Sequence, residues 1–359
     1  MPAIVPFFHV SRHDGGMRFF ETVKDLNSDL RPVSDKHILL TQKNTDHAIY
    51  ERLRECGVDA AHLAEIARDV AAEAARLVEQ RRTDLASDGG GVRAAATKSS
   101  EVDPVTVVDR ESETFIRQRL NERAPGSAIL GEEEGASPSG NEQGSENAGY
   151  ADVLWVVDPI DGTVNFMYGV PAYAVSVAAT YDGIPVAGAI ADVCAGTVYS
   201  TAMGAGVIIS PIEGDGEATT TADSLNTVPQ PSDPADLRTA LIATGFAYHA
   251  GRRASQAKLL TQVLPKVRDI RRIGSAALDL VRVATGEVDG YYEHGLGPWD
   301  HAAGSLIAAR AGAQVTMPLL SVESREGAPI CAARTSIADE LLNLVWTEAP
   351  GGVLHPLEK

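Results

Sequence analysis

The apolar run Val153 to Val157 stops abruptly in two aspartates three residues apart, Asp158-Pro159-Ile160-Asp161, followed at once by Gly162-Thr163. A run of this length and character reads as a buried strand. A strand that ends in acids delivers carboxylates to the sheet edge, where α/β enzymes keep their chemistry. Pro159 fixes its own φ and holds Asp158 extended, so the turn can aim both carboxylates, and the backbone carbonyl between them, at one point. Hard oxygen ligands beside a Gly-Thr turn suit Mg²⁺ carrying a phosphate. Taken alone, the same pattern also reads as a strand-to-turn junction capped by its own acids.

More acid stands at other element ends. Gly131-Glu132-Glu133-Glu134-Gly135 follows the apolar pair Ile129-Leu130, and Tyr291-Tyr292-Glu293 closes another short strand. Trp299-Asp300 opens a helix with Ala303, Leu306, Ile307 and Ala311 on one face; Asp103 to Asp109 leads into a helix carrying Ser112, Phe115, Ile116 and Leu120. Asp109 and Asp300 stand where an N-cap would, and capping accounts for either one singly. Collected within ~4 Å, like charges repel by about 1 kcal/mol per pair even at the dielectric of water. Divalent cations are the simplest agents that would hold such a set together.

These blocks resemble the inositol monophosphatase family of Mg²⁺-dependent, lithium-sensitive sugar phosphatases. The signatures are Asp158 to Phe166 and Trp299 to Gly304 continuing to Ala313, joined in the expected order by Gly131-Glu132-Glu133, by Lys98, Thr106 and Asp109, and by Gly274-Ser275-Ala276. The similarity runs from about residue 60 to about 345 and is nearest to the actinobacterial branch, through Tyr168 to Val175, Arg271 to Asp279 and Tyr291 to His294. The fold so implied is α+β, a layered α-β-α-β-α sandwich of the inositol monophosphatase and fructose-1,6-bisphosphatase type.

The resemblance also implies roles. One Mg²⁺ is held by Glu132, Asp158 and the Ile160 carbonyl, a second by Asp158, Asp161 and Asp300, and a third, weaker one lies near Glu132. A water activated by metal is the nucleophile, with no covalent intermediate; Thr106 and Asp109 orient it and take its proton. The N–H groups of Gly162 and Thr163 hold phosphate oxygens. Glu293 accepts hydrogen bonds from ring hydroxyls, and Gly274, Ser275 and Ala276 form the opposite wall. Glu132, Ile160, Asp161 and Asp300 also border the substrate. Lys98 belongs to a mobile loop that helps organise a metal. Val164 stands where threonine is more frequent, and His301 where small apolar residues are common; His294 and His301 are expected to support the site or face solvent. A homodimer is the family's usual assembly.

The formal net charge of −18 argues against nucleic acid or an anionic membrane as partner. It also poses a problem for an enzyme acting on phosphate monoesters, which carry about two negative charges near neutral pH; cations in the site resolve that problem locally. Cys56, Cys194 and Cys331 show no paired spacing and read as reduced, mostly buried thiols. No apolar run approaches the ~18 residues of a membrane helix. Ile4 to Val10 is broken by Pro6 and His9, so no signal peptide core is expected. A cytoplasmic protein follows.

Residues 1–58 precede the similarity and read as a disordered arm, a contact arm or an over-extended start, with Met17 as another initiator. The catalytic domain is expected over 59–345, in two packed halves of about 59–205 and 206–345, with a tail over 346–359. A helix is expected from Ala60 to Arg82, capped by Asp59, and an antiparallel meander from Ala172 to Ser200 with turns at Asp182-Gly183 and Ala195-Gly196. Further on, the pattern gives strands near Thr239–Thr244 and Val267–Ile273, helices near Arg253–Val263 and Ala276–Thr285, and a strand from Val288 to Glu293. Residues 136–149 and 211–236 read as polar surface loops.

The leading function is hydrolysis of inositol-1-phosphate to inositol and phosphate. Related activities on histidinol phosphate, fructose-1,6-bisphosphate or 3′-phosphoadenosine nucleotides are the alternatives within the enzyme class. A role as an interaction protein of the transcription machinery is the alternative outside it, because a bacterial relative associates with that machinery.

Overall fold

The structure is a computed structural model that describes residues 32–34, 36–43, 45, 53, 57, 59–87, 96–97, 104–137, 150–212, 226–227, 233–348 and 354. In chain order, strands β1 (Pro32–Ser34) and β2 (His37–Leu40) precede helix α1 (Ala60–Ser87). The short pair β3 (Ala96–Thr97) and β4 (Pro104–Val105) leads into α2 (Val107–Arg123). Then come β5 (Ala128–Gly131), β6 (Gly135–Ser137), β7 (Val153–Asp161), α3 (Thr163–Tyr168), β8 (Ala174–Tyr181), β9 (Ile184–Asp192), β10 (Thr197–Ala202), β11 (Ile208–Pro211) and β12 (Asn226–Thr227). The second half adds β13 (Leu241–Thr244), α4 (Ala250–Val263), β14 (Asp269–Arg271), α5 (Ala276–Thr285), β15 (Gly290–His294) and α6 (Pro298–Arg310). It closes with β16 (Gln314–Pro318), β17 (Pro329–Ala333) and α7 (Ala338–Glu348).

Two sheets result. One has eight strands in the order β12-β11-β10-β9-β8-β7-β5-β6; the other has seven, in the order β1-β2-β16-β17-β15-β13-β14. Helices α1 and α2 cover the outer face of the first sheet, α5 and α6 lie between the sheets, and α7 covers the far face of the second with α4 against it. This is the expected five-layer α-β-α-β-α sandwich. The meander β8-β9-β10 is antiparallel, and its first turn places both Asp182 and Gly183 at positive φ, 51° and 76°, the twist-matched form for a two-residue hairpin.

The spacing predicts a face of Leu63, Ile66, Ala67, Val70, Ala74, Leu77 and Val78 for helix α1; all are buried except Leu77, which is half-buried. Asp59 caps the helix through a 2.9 Å bond from the Ala61 N–H. Part of the segment set aside as an N-terminal extension belongs to the second sheet: β2 pairs antiparallel with β16, and Ile38 and Leu40 are buried there. Arg310, at the end of α6, donates to the Gln42 carbonyl at 3.2 Å and to Thr45 Oγ1 at 3.0 Å. The expected burial of the thiols holds for Cys331 but not for Cys194, which sits in the exposed β9–β10 turn; of the expected loop 136–149, Ala136 and Ser137 belong to β6, and residues 138–149, like Cys56, lie outside the described residues. Among the described residues, no helix is long and apolar enough to cross a membrane.

The central layer is tight because glycine stands at its contacts. A Cβ on Gly304 of α6 would fall 2.6 Å from Leu280 Cδ1 and 2.7 Å from Leu280 Cβ of α5, and one on Gly188 of β9 would fall 3.1 Å from the Ala303 backbone. Gly304→Val is therefore expected to cost about 1–3 kcal/mol through overpacking, read as a lowered denaturation midpoint. Gly206→Ala, where a Cβ meets open space, should stay within about 0.5 kcal/mol of the parent.

Candidate active site

In a regular strand, residues three apart face opposite sides of the sheet. Asp158 and Asp161 escape that rule through a bulge. Asp158 pairs with Ser176 and Asp161 with Ala174, so β7 spends three steps where β8 spends two. The extra residue lies at Pro159-Ile160, where proline has no N–H to give the ladder. The bulge brings both carboxylates to one side, and the Ile160 N–H closes it on Asp158 Oδ1 at 3.0 Å.

Asp300 arrives from the second half of the chain. One oxygen from each of Asp158, Asp161 and Asp300 can be chosen so that all lie within 4.8 Å of one another. Asp300 is not the N-cap of α6. The helix begins at Pro298 with Gly297 as its cap, and Asp300 is the third residue, accepting the Gly297 N–H at 2.7 Å. Asp109 follows the same correction: Thr106 caps α2 and Asp109 closes the capping box from the third position. A proline at N1 and a threonine three residues upstream move each start back by one turn.

Asp161 is gripped by the start of α5. Its Oδ2 accepts from Ser275 Oγ at 2.6 Å and from the Ala277 N–H at 2.7 Å. The side chain of Ser275 also caps that helix. Sequence reasoning valued Ser275 for its backbone and missed the hydroxyl; the signal was a serine just before a strong helical pattern. Gly162 and Gly274 both adopt positive φ, 95° and 97°, and pass close together: a Cβ on Gly162 would fall 3.2 Å from the Gly274 carbonyl oxygen. Asn165 secures that approach by donating to the carbonyls of Ala172 and Ile273 at 2.7 and 3.0 Å.

A hydroxyl chain ties α2 to the bulge. Thr106 Oγ1 donates to Asp109 Oδ2, and Thr163 Oγ1 lies 2.9 Å from Asp109 Oδ1 and 3.1 Å from the Ile160 carbonyl oxygen. Thr106, Asp109 and Thr163 are buried. The linking role of the Thr163 hydroxyl was not anticipated from the sequence. Glu132 sits in the turn between β5 and β6, its charge close enough to raise both Asp161 and Asp300. Glu293, at the end of β15, is buried and accepts from Tyr291 Oη at 2.8 Å. A Cβ on Gly245 would fall 1.8 Å from its Oε2, so the neighbouring strand end must be glycine. Ala276 is the first residue of α5. Lys98 lies outside the described residues.

Burial, reinforced by Glu132, pushes Asp161 up to about 6, against bonds from Ser275 and Ala277 that pull it down. Asp300 is driven well above the carboxylate range by burial, then by Glu132 and Asp161. Burial raises Glu293 to about 7. His294 and His301 are buried and held neutral, each lowered to about 3 by desolvation; neither faces solvent. The converging donors at the acidic centre are hard carboxylate oxygens, without sulfur or imidazole. That donor set fits Mg²⁺ or another hard divalent cation.

A sequence model of the inositol monophosphatase family matches residues 59–349. An inositol-1-monophosphatase of Mycobacterium leprae is 50% identical over 282 residues, covering 77% of this chain and 91% of that one. A Nus factor SuhB of Vibrio cholerae is 35% identical over 228 residues, 61% of this chain and 74% of that one. The solved structure of Mycobacterium tuberculosis SuhB superposes with a TM-score of 0.63 at 44% identity, covering 82% of this chain and 99% of that one.

Asp161 and Glu293 hold their protons more tightly folded than unfolded. Their protonated forms therefore stabilise the cation-free protein below about pH 4, and that contribution is lost as pH rises through about 6 and then about 7. The chelator-treated protein should accordingly show an unfolding temperature that falls across this window, and Asp161→Asn should flatten the fall. An Asp161→Asn profile parallel to that of the parent would contradict the assignment.

Proposed function

Because the chain belongs to the inositol monophosphatase family, we propose that it hydrolyses inositol-1-phosphate to inositol and phosphate with Mg²⁺ as cofactor. The observation that carries this reading is the convergence of Asp158, Asp161 and Asp300 within 4.8 Å, beside the first N–H groups of α3. Asp158, Asp161, Asp300, Glu132 and the Ile160 carbonyl would hold two to three cations. Bound Mg²⁺ would neutralise phosphate charge and supply a water of lowered pKa.

The chain's own groups do the rest. Asp109, steadied by Thr106 and Thr163, orients the attacking water and accepts its proton. The amides of Gly162 and Thr163, orphan donors at a helix start, bind phosphate oxygens. The nucleophile is water, attacking in line with the leaving alkoxide, so no side chain is phosphorylated. Glu293 accepts hydrogen bonds from ring hydroxyls, and the Gly274–Ala276 backbone forms the facing wall. A carboxylate at this wall favours a polyol and repels a second phosphate, which sets bisphosphate and nucleotide substrates behind inositol phosphate. We take Lys98 to assist metal organisation from its loop, and the protein to act as a cytoplasmic homodimer; both extensions rest on the family resemblance.

A second reading draws support from the relative that is called a Nus factor: partner binding independent of catalysis. Asp158→Asn separates the two, since an interaction would survive it. For the enzyme, Asp158→Asn or Asp300→Asn should lower kcat/KM by at least about 100-fold, the scale that even outer partners of metal sites reach. Chelation should abolish phosphate release and Mg²⁺ should restore it. In a panel of monoesters and bisphosphates, faster turnover of a nucleotide bisphosphate would sink the inositol assignment.

A further inference from the structure

Glu113 is fully buried on α2 and has no part in the chemistry above. Its Oε2 accepts the Glu133 N–H at 2.7 Å and its Oε1 the Glu134 N–H at 3.1 Å. Arg117, one helical turn later, donates to the same Oε1 through Nε at 2.9 Å and Nη2 at 2.7 Å, and its Nη2 reaches the Gly135 carbonyl at 2.5 Å. Gly131 and Gly135 pair across the turn. A Cβ on Gly131 would fall 2.2 Å from Glu113 Oε1. The turn Glu132-Glu133-Glu134 is thus folded around an internal carboxylate whose charge Arg117 meets.

Burying an anion is costly and is tolerated when it is paired and fully hydrogen-bonded. Here the donors that satisfy it are the amides that define the turn, so the carboxylate dictates the local backbone path. That path delivers Glu132 to the acidic centre, where its charge is felt by Asp161 and Asp300. An i,i+4 Glu–Arg pair on a helix is ordinarily a surface feature of small value; this one faces inward and reaches across to a different element.

We propose that Glu113, held by Arg117, is a positioning residue that presets the Glu132 turn for cation binding. The proposal rests on Glu132 being a metal ligand, and its test separates the two ideas. Three variants are compared with the parent: Glu113→Gln, which keeps the shape and loses the charge; Glu113→Asp, which keeps the charge and draws the oxygens back; and Glu132→Gln. Mn²⁺ binding is counted by electron paramagnetic resonance, and phosphate release is titrated with Mg²⁺.

The expected result is weaker Mn²⁺ binding and a Mg²⁺ half-activation point raised about 10- to 100-fold in both Glu113 variants. At saturating Mg²⁺, kcat should recover and KM should hold. Should Glu132→Gln weaken Mn²⁺ binding while whichever Glu113 variants fold bind like the parent, the positioning role is overturned and the ligand reading stands. Activity lost equally at every Mg²⁺ concentration would likewise make Glu113 a purely structural residue. Unchanged Mn²⁺ affinity in Glu132→Gln would overturn the ligand assignment itself.

Discussion

Mutual repulsion among converging carboxylates is the constraint around which this chain is built. Asp158, Asp161 and Asp300 present oxygens within 4.8 Å of one another, with Glu132 close by. At that spacing each pair costs about 1 kcal/mol even in water, and more as solvent is excluded. Folding alone gives no return on that cost. Neutral groups fix the acids' orientation: the Ile160 amide on Asp158, the Ser275 hydroxyl and Ala277 amide on Asp161, and the Gly297 amide on Asp300. These bonds do not cancel charge.

Those donors come from three separate junctions of strand, turn and helix, which explains why two sheets and a packed central layer are needed. The bulge in β7 supplies two acids, α6 the third, and the start of α5 the clamp on Asp161. Helices α5 and α6 lie against each other between the sheets, and the near contact of Gly304 with Leu280 fixes how far apart their starts stand. A shift in that packing would reach Asp161 and Asp300 together, because each is held by the first turn of one of the pair. The Thr163 hydroxyl extends the same logic to α2, joining Asp109 to the carbonyl of Ile160.

Much of this was legible in the sequence because strands that end in acid are rare patterns with few physical explanations. Asp158, Asp161 and Glu132 were found that way; Asp300 was read at the opening of a patterned helix, and the meander from alternating apolar stretches between turns. The helix starts at Asp109 and Asp300 were misread by one turn, since an acid at the third position and an acid at the cap differ only in what stands upstream. Ser275 and Thr163 were partly read: their places in the motifs were clear, but a hydroxyl's partner is a tertiary fact. Glu113 and Arg117 were invisible, because an i,i+4 pair of opposite charges is indistinguishable from a solvated helix face until the fold turns it inward. Strands β1 and β2 were missed for another reason. They are short, and their stabilising partner β16 lies far along the chain, so no local period betrays them.

The treatment of buried charge divides the acids into two kinds. Glu113 is buried and paired with Arg117, so its charge is settled within the protein and it can act as permanent scaffold. Asp161 and Asp300 are treated otherwise: among the described residues no lysine or arginine forms an ion pair with either, and both are pushed towards the protonated form by burial and by neighbouring acids. An arginine placed there would relieve the strain, but it would also occupy the space and the lone pairs that a cation requires. Leaving these two unpaired would favour an incoming divalent ion at the expense of stability in its absence. A site so arranged fits a chain whose overall charge is strongly negative yet whose substrate is an anion, since the attraction must be built locally and only where the reaction takes place.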